Sequence, residues 1–318
     1  MTRNLSRSRR MLLTASLLWL VPMPAVAQQD ATQAMLQTPR IPGQNLNGMH
    51  VYLRAGLKTH GGGEHDYPQF LADWSKILTA HGAVVDGSLH APTGDELNGV
   101  DVMVIYKGDA GFMTAAEKAT LDAFVKRGGG LVIIHDALCG PDPAQFAHYV
   151  GGGKKHGEVN FTLGADVSYK IVDKADPIMK GMTDLTLYDE AFYRMTWSDN
   201  PKIHVLATAV IADTEAARRG GGVGQSVPQI WSYEHRVPGG QPSRAFVWMQ
   251  GHTYANLTNW QIENMLLRGI AWAAHRPVDE LVDYPGAVPG PGVEIVPPVG
   301  SHARSAPAGR GGGSRPAG

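Results

Sequence analysis

The alternation of short apolar runs with amphipathic segments is the feature that most constrains the fold of this 318-residue chain. Residues 50–57, 100–106 and 131–134 are apolar runs of strand length. Residues 68–80 place apolar side chains on one face of a helix, and residues 114–127 open with a Thr-x-x-Glu capping box. Strands that alternate with helices in this order predict a parallel sheet with helices on both faces.

The second half of the chain is richer in strand patterns. The candidate strands are 169–172, 186–193, 204–209, 229–233 and 245–249. Residues 259–274 predict a closing helix, and the segment 213–226, rich in Ala, Arg and Gly, predicts a loop or insertion. We therefore expect a three-layer α/β fold, with a mostly parallel sheet and a more β-rich second half.

The first 27 residues have the pattern of an export signal. Four arginines precede the apolar run 11–20, and an Ala-x-Ala cleavage signature occupies 25–27. The pair Arg9-Arg10 resembles a twin-arginine signal, although an ordinary secretory signal also fits. Either route predicts a periplasmic or secreted protein.

The C-terminal end has a low-complexity composition. Residues 285–318 are rich in Gly and Pro, hold few large apolar side chains and predict a disordered tail. Residues 28–45 predict a linker that follows the signal, so the folded domain is expected over 46–284. Both a monomer and an oligomer stay open at this point.

Composition excludes several classes of protein. The 28 basic and 29 acidic residues nearly balance, whereas nucleic-acid binders usually carry a basic excess. The single cysteine rules out an intrachain disulfide and a cysteine-cluster metal site. Beyond the N-terminal signal, no apolar run reaches the about 18 residues of a membrane span. A P-loop and a G-x-G-x-x-G fingerprint are both missing, so no nucleotide cofactor is expected.

Three predicted strands run into turns that carry a histidine, namely His65, His135 and His252. Ligands of open parallel sheets bind beyond the carboxyl ends of the strands, so these imidazoles are expected to meet at one edge. The strand before His252 also fits an antiparallel direction, which would place that residue elsewhere. Neutral imidazole is the commonest metal ligand in proteins, and the cluster therefore predicts a divalent metal site.

Other residues near these turns are weaker candidates. His60, His156 and the pair Asp189-Glu190 each fit a site, but single histidines at strand ends and paired charges on edge strands are also common without one. Asp136 is a site candidate beside His135, but it also fits a structural role, either capping the following turn or orienting His135. Cys139 lacks the setting of a catalytic elbow, so a small buried thiol is expected there.

These motifs together resemble the ThuA-like family, which is named for trehalose utilisation. The resemblance covers roughly 46–276 and is carried by GGGEHDYPQF, KRGGGLVIIHDAL, FAHYVGGGKKHGEV, DPIMKGMTDLTLYDEAFYRM, VPQIWSYEH and RAFVWMQGHTYANLTNWQIENMLLRGIAWAA. It implies the class I glutamine amidotransferase-like variant of the flavodoxin-type fold. The Gly-Lys-Lys-His turn departs from the family's usual aromatic before the histidine. The amidotransferase Cys-His-Glu triad is also missing, so glutamine hydrolysis is not expected.

The resemblance implies a set of site residues. The metal ligands would be His65, His135, His156 and His252, binding a divalent ion such as Zn or Mn. The family's Asp-Glu-x-x-Tyr element falls on Asp189, Glu190 and Tyr193, of which Glu190 and Tyr193 would be catalytic. From the residues themselves we also expect Asp136, beside His135, to be catalytic. The first loop is expected to bind substrate through His60, Gly62, Gly63 and Asp66, because its glycines let the backbone come close to a ligand.

The resemblance implies an enzyme of sugar chemistry that acts on oxidised (3-keto) glycosides. Such an enzyme would abstract the proton at C2 and then eliminate the C1 substituent or isomerise the sugar. Two other classes stay open: a non-catalytic carbohydrate-binding protein, and a metallohydrolase that acts on esters or amides.

Overall fold

The structure is a computed structural model that describes residues 48–284. The predicted export signal (1–27), the linker (28–45) and the C-terminal tail (285–318) all lie outside the described residues. None of the helices between residues 48 and 284 is long and apolar enough to cross a membrane.

Strands and helices alternate through the first half of this range, as predicted. The strands are β1 (His50–Ala55), β2 (Val84–Ser88), β3 (Val102–Tyr106), β4 (Gly130–Ile134), β5 (Cys139–Gly140), β6 (Gly152–Lys155), β7 (Ala165–Ile171), β8 (Thr186–Asp189), β9 (Thr196–Trp197), β10 (His204–Val210), β11 (Ser226–Arg236) and β12 (Pro242–Trp248). The helices are α1 (Tyr67–Ala80), α2 (Ala115–Lys126), α3 (Pro143–Val150), α4 (Glu215–Gly220) and α5 (Trp260–Ala273). Short 3-10 turns occupy His135–Leu138, Pro177–Met179 and Tyr254–Thr258.

Within the described range the main sheet has nine strands in the order β2-β1-β3-β4-β12-β11-β10-β7-β8. The strands from β2 to β12 run parallel, and those from β12 to β8 pair antiparallel. β12 lies parallel to β4, with Val247 opposite Ile133. This pairing settles the direction that the sequence left open, and it brings the loop after β12 to the same edge as the loop after β4.

Helices cover both faces of the sheet. Phe70 and Trp74 of α1 share one buried apolar cluster with Met265 of α5. Phe124 of α2 and Phe146 of α3 belong to the cluster on the opposite face. The predicted three-layer α/β architecture is therefore confirmed.

Two segments differ from the predictions. The segment 213–226 is not simply a loop, because it contains α4, whose cap Thr214 accepts a hydrogen bond from the Ala217 amide, and the first residue of β11. The helix α3 was not predicted from the sequence, although Asp142 caps it and Pro143 occupies its first turn. Its brevity explains the omission, because a helix of two turns shows little periodicity.

Candidate metal centre

Three loops meet at the carboxyl edge of the parallel strands and bring three imidazoles together. His65 follows β1, His135 follows β4 and His252 follows β12. Each offers one ring nitrogen, and these nitrogens all lie within 4.8 Å of one another. The Nε2 atoms of His65 and His135 are 2.9 Å apart. This is the spatial grouping that a shared cation requires.

Backbone hydrogen bonds join the first of these loops to the last. The His65 amide donates to the His252 carbonyl at 3.0 Å, and the Tyr254 amide donates to the Gly63 carbonyl at 2.9 Å. Glu64 and Thr253 form an isolated antiparallel bridge between the same loops. The two loops therefore hold each other in place, although 187 positions separate His65 from His252 in the numbering.

The backbone at two of the histidines adopts an uncommon conformation. His65 has a φ of 48° and His135 a φ of 58°, both in the left-handed region that disfavours residues with a Cβ. Conformations of this kind persist where the surrounding structure compensates their cost, and they concentrate at functional sites.

Hydrogen bonds orient the imidazoles. The Nδ1 of the fully buried His135 donates to the Met249 carbonyl at 3.1 Å, which leaves its Nε2 facing the cluster. The His65 Nδ1 lies 3.0 Å from the Thr59 hydroxyl. The His252 Nδ1 is buried and has no hydrogen-bond partner among the described residues. His65 and His135 thus each have one ring nitrogen near a polar group of the protein, as metal-ligating histidines typically do.

The three imidazoles are held in the neutral form. Burial, reinforced by the neighbouring His252, lowers the pKa of His65 to about 2. Burial also lowers the pKa of His135 well below its usual value and lowers that of His252. Because only the neutral ring can bind a cation, the cluster is prepared for a metal at neutral pH.

Glu190 brings a carboxylate to the same group. Its Oε2 lies 3.6 Å from the His135 Nε2 and 3.6 Å from the His252 Nδ1. Burial raises the pKa of Glu190 to about 8, although the positive charge of Lys154 acts in the opposite direction. A carboxyl with this pKa is mostly protonated at pH 7, but its pKa is close enough to neutral pH for the group to exchange a proton with a substrate.

Asp189, the neighbour of Glu190 in the chain, forms hydrogen bonds with the loop that carries His252. Its fully buried carboxylate accepts hydrogen bonds from the backbone amides of Gly251 and His252, both at 3.1 Å, and from the Asn256 side chain at 2.6 Å. Burial raises its pKa to about 6, against the effect of these hydrogen bonds. Asp189 therefore positions the loop that carries His252.

Lys154 was not predicted as a site residue from the sequence. Its ammonium group is buried, lies 2.9 Å from an Asp136 oxygen and stands 4.3 Å over the Phe192 ring. Burial is the largest single effect and lowers the pKa of Lys154, but the charges and hydrogen bond of its neighbours, with Asp136 first among them, together outweigh burial and raise the pKa. The sequence signal for Lys154 was its position directly after Gly151–Gly153. A charge buried at such a position needs a nearby partner of opposite charge.

The other predicted site residues lie at varying distances from the cluster. The His60 ring centre is 3.9 Å from that of His65, at the exposed side. Asp66 is buried and pairs with Lys58, whereas Gly62 is exposed. Gly63 contributes the carbonyl described above.

Two predicted residues make contacts away from the three histidines. His156 is exposed and lies 3.0 Å from Asp109, in a separate group with Cys139. The Tyr193 hydroxyl donates to the Ala216 carbonyl at 3.4 Å, beside α4. Cys139 is buried, as predicted, and burial raises its pKa. The geometry therefore leaves His156 and Tyr193 out of the set that meets at His65, His135 and His252.

Comparison with known proteins agrees with the α/β fold. The sequence profile of the ThuA family, described as trehalose utilisation, matches residues 57–273. The chain therefore belongs to the ThuA family. No curated protein matches it.

Solved structures share the fold. A ThuA-like protein from Parabacteroides merdae is 21% identical, with a TM-score of 0.51, over 71% of this chain and 90% of the other. A ThuA-like protein from Bacteroides uniformis is 15% identical, with a TM-score of 0.54, over 73% of this chain and 94% of the other. This chain thus shares the fold of these ThuA-like structures, and that fold is the mostly parallel α/β type that the sequence predicted.

Proposed function

We propose that this protein is a metal-assisted enzyme that acts on oxidised (3-keto) glycosides. The single observation that carries the proposal is the meeting of three neutral imidazoles, two buried and one partly buried, with the carboxyl of Glu190. The trehalose utilisation of the family supports a sugar as the substrate.

His65, His135 and His252 fit a divalent cation such as Zn²⁺ or Mn²⁺. Three imidazole nitrogens with one adjacent carboxylate are a donor set that zinc accepts in proteins. The buried and unpartnered Nδ1 of His252 is one further observation in favour, because a buried polar atom without a partner is costly. When bound, the cation would supply polarisation of a substrate carbonyl.

Glu190 is the proposed general base. A 3-keto group acidifies the proton on C2, and the Glu190 carboxylate takes that proton. The electron pair of the broken C–H bond then forms the C1–C2 double bond as the C1 substituent departs with its own bonding pair. In an isomerisation the proton returns at a neighbouring carbon instead. The buried ammonium group of Lys154 is close enough to act on the pKa of Glu190. Its positive charge would also stabilise the negative charge that develops on the substrate as C2 loses its proton.

A metallohydrolase is the second candidate. The same three imidazoles and the same carboxyl also suit the hydrolysis of esters or amides, with Glu190 removing a proton from the attacking water. The two candidates differ in substrate, because only the first requires an oxidised sugar.

The proposal includes export. Residues 1–27 would direct the protein to the periplasm or the medium, where it would meet its sugar substrate. Fractionation of cells that express the full chain would test this, and recovery of unprocessed protein in the cytoplasm alone would contradict it.

The decisive experiment combines metal analysis with turnover. Purified protein should contain near-stoichiometric zinc or manganese and should convert 3-keto-trehalose but not trehalose, and a chelator should abolish the activity. His135→Ala should lose both metal and turnover, whereas the exposed His90→Ala should keep both.

Each other outcome has a definite meaning. Full metal content and activity in His135→Ala would refute the site. Sugar binding without turnover would identify a carbohydrate-binding protein, and cleavage of esters or amides alone would identify the hydrolase.

A further inference from the structure

A cavity separate from the candidate metal centre lies on the face of the sheet that α2 covers. It encloses about 510 Å³, counting its open mouth. Its apolar wall includes Leu97, Met103, Ile105, Phe112, Leu121 and Phe146. Its lining shares no residue with the three-histidine group.

Two cations line this otherwise apolar cavity. Arg54 stands near the end of β1 and Lys107 directly follows β3, the neighbouring strand. Arg54 donates to the Ala55 carbonyl, and the Lys107 Nζ donates to the Gly108 carbonyl at 2.8 Å. Within residues 48–284 neither cation forms a salt bridge with a carboxylate. The hydrogen bonds of these two cations go to neutral carbonyls, while the charge of Glu117 acts on the pKa of both.

The electrostatics of the pair are unfavourable as they stand. Burial lowers the pKa of Arg54. Burial also lowers the pKa of Lys107, and the charge of Arg54 lowers it further. The acidic residue in the lining is Glu117, and its carboxylate accepts a hydrogen bond from the Thr114 amide at 2.7 Å as part of the α2 cap. The negative charges of Glu117, Asp109 and Asp136 act on the pKa of Lys107 in the opposite direction. None of them forms a salt bridge with either cation among the described residues, so both cations retain hydrogen-bond donors for a bound carboxylate.

We propose that this cavity binds a small apolar monocarboxylate, such as an aromatic or branched-chain acid. Its carboxylate lies between Arg54 and Lys107, and its apolar body packs against the wall of the cavity. A guanidinium binds a carboxylate through two parallel hydrogen bonds, which gives the site its preference for an acid over a neutral analogue. The proposal is independent of the proposed enzyme function.

Benzoate is the test ligand, with benzamide as its neutral analogue and acetate as an anion without an apolar body. The titrations use the full chain treated with chelator, so that no carboxylate binds through a metal at the histidine cluster. We expect saturable binding of benzoate with a Kd at least tenfold lower than that of either control. Equal affinity for benzamide, or for acetate, would overturn the proposal.

Methionine methyl resonances locate the ligand without any substitution. Met103 and Met113 line the cavity, whereas Met265 is buried in the core on the opposite face of the sheet. Benzoate should shift the first two NMR signals and leave the third unchanged. Binding that leaves Met103 and Met113 unshifted would place the acid elsewhere and refute the site.

Charge-removing variants test the two cations. Arg54→Gln and Lys107→Gln should each raise the Kd for benzoate at least fivefold, while Lys118→Gln, on the exposed side of α2, should leave it unchanged. Unchanged affinity in both cavity variants would contradict the assignment. Because the NMR measurement uses the unmodified protein, a variant that fails to fold does not remove the test.

Discussion

Asp189 and Glu190 are neighbours in the chain, yet their carboxylates do different work. Glu190 turns its side chain to the imidazoles of His135 and His252. Asp189 accepts hydrogen bonds from the backbone of the loop that carries His252. The chain bends after β8, so two consecutive carboxylates serve two separate purposes, one chemical and one architectural.

We expect Asp189→Asn to weaken the site without touching a proposed ligand. The new amide group would place N–H donors against the backbone donors of Gly251 and His252, because an amide accepts hydrogen bonds through only one of its two polar atoms. The free energy of unfolding should fall by about 3 kcal/mol, the cost of leaving buried donors unpaired. Metal affinity should fall by roughly 10- to 100-fold, as it does when an outer hydrogen bond of a metal site is lost.

Urea unfolding and a metal titration would measure both effects. Asp166→Asn, at an exposed position on β7, is the matched control and should behave like the unmodified protein. Wild-type metal affinity in Asp189→Asn would show that the carboxylate does not position His252.

At the scale of an element, α5 carries a buried carboxyl. Glu263, in the first turn of this helix, is only 3% exposed, and burial raises its pKa to about 7. The folded protein therefore holds this proton up to a higher pH than the unfolded chain does. Between about pH 4.5 and 7 the unfolded chain has already released the proton, so this group makes the protein less stable as the pH rises.

Glu263→Gln should remove that loss of stability. We expect the variant to match the unmodified protein near pH 4.5 and to exceed it by about 3 kcal/mol at pH 8, because a neutral side chain has no charge to bury. Urea unfolding at the two pH values measures the difference. Glu215→Gln, in the first turn of α4 but exposed, should show no such gain. Equal pH dependence in Glu263→Gln and the unmodified protein would contradict the prediction.

At the scale of the whole molecule, the candidate metal centre links distant parts of the chain. His65, His135 and His252 follow β1, β4 and β12, and these strands are brought near one another only by the order of the folded sheet. A cation held by all three would bind the folded state and not the unfolded chain. Metal binding is therefore expected to stabilise the entire domain.

Thermal unfolding measures this coupling. At a free metal concentration 1,000 times Kd, the folded state gains about 4 kcal/mol, which raises the Tm of a domain of this size by roughly 8–16 °C. A chelator should reverse the rise, and His135→Ala should show none. A Tm that does not respond to zinc or manganese in the unmodified protein would count against a resident cation.

Local patterns were sufficient to predict much of this protein. Periodicity and capping predicted α1, α2 and α5 and the strands before them, since these signals depend on residues a few positions apart. The rule that ligands gather at the carboxyl edge of parallel strands also identified the three loops whose histidines meet.

Long-range pairing decided what local patterns could not. The parallel direction of β12, and with it the place of His252, depends on hydrogen bonds to β4, more than 100 residues earlier in the chain. The same is true of the contact between Lys154 and Asp136, the separation of His156 from the cluster, and the contact of Tyr193 with α4. A side chain's neighbours across a sheet edge follow from strand order and loop path, and no periodicity in the sequence encodes them.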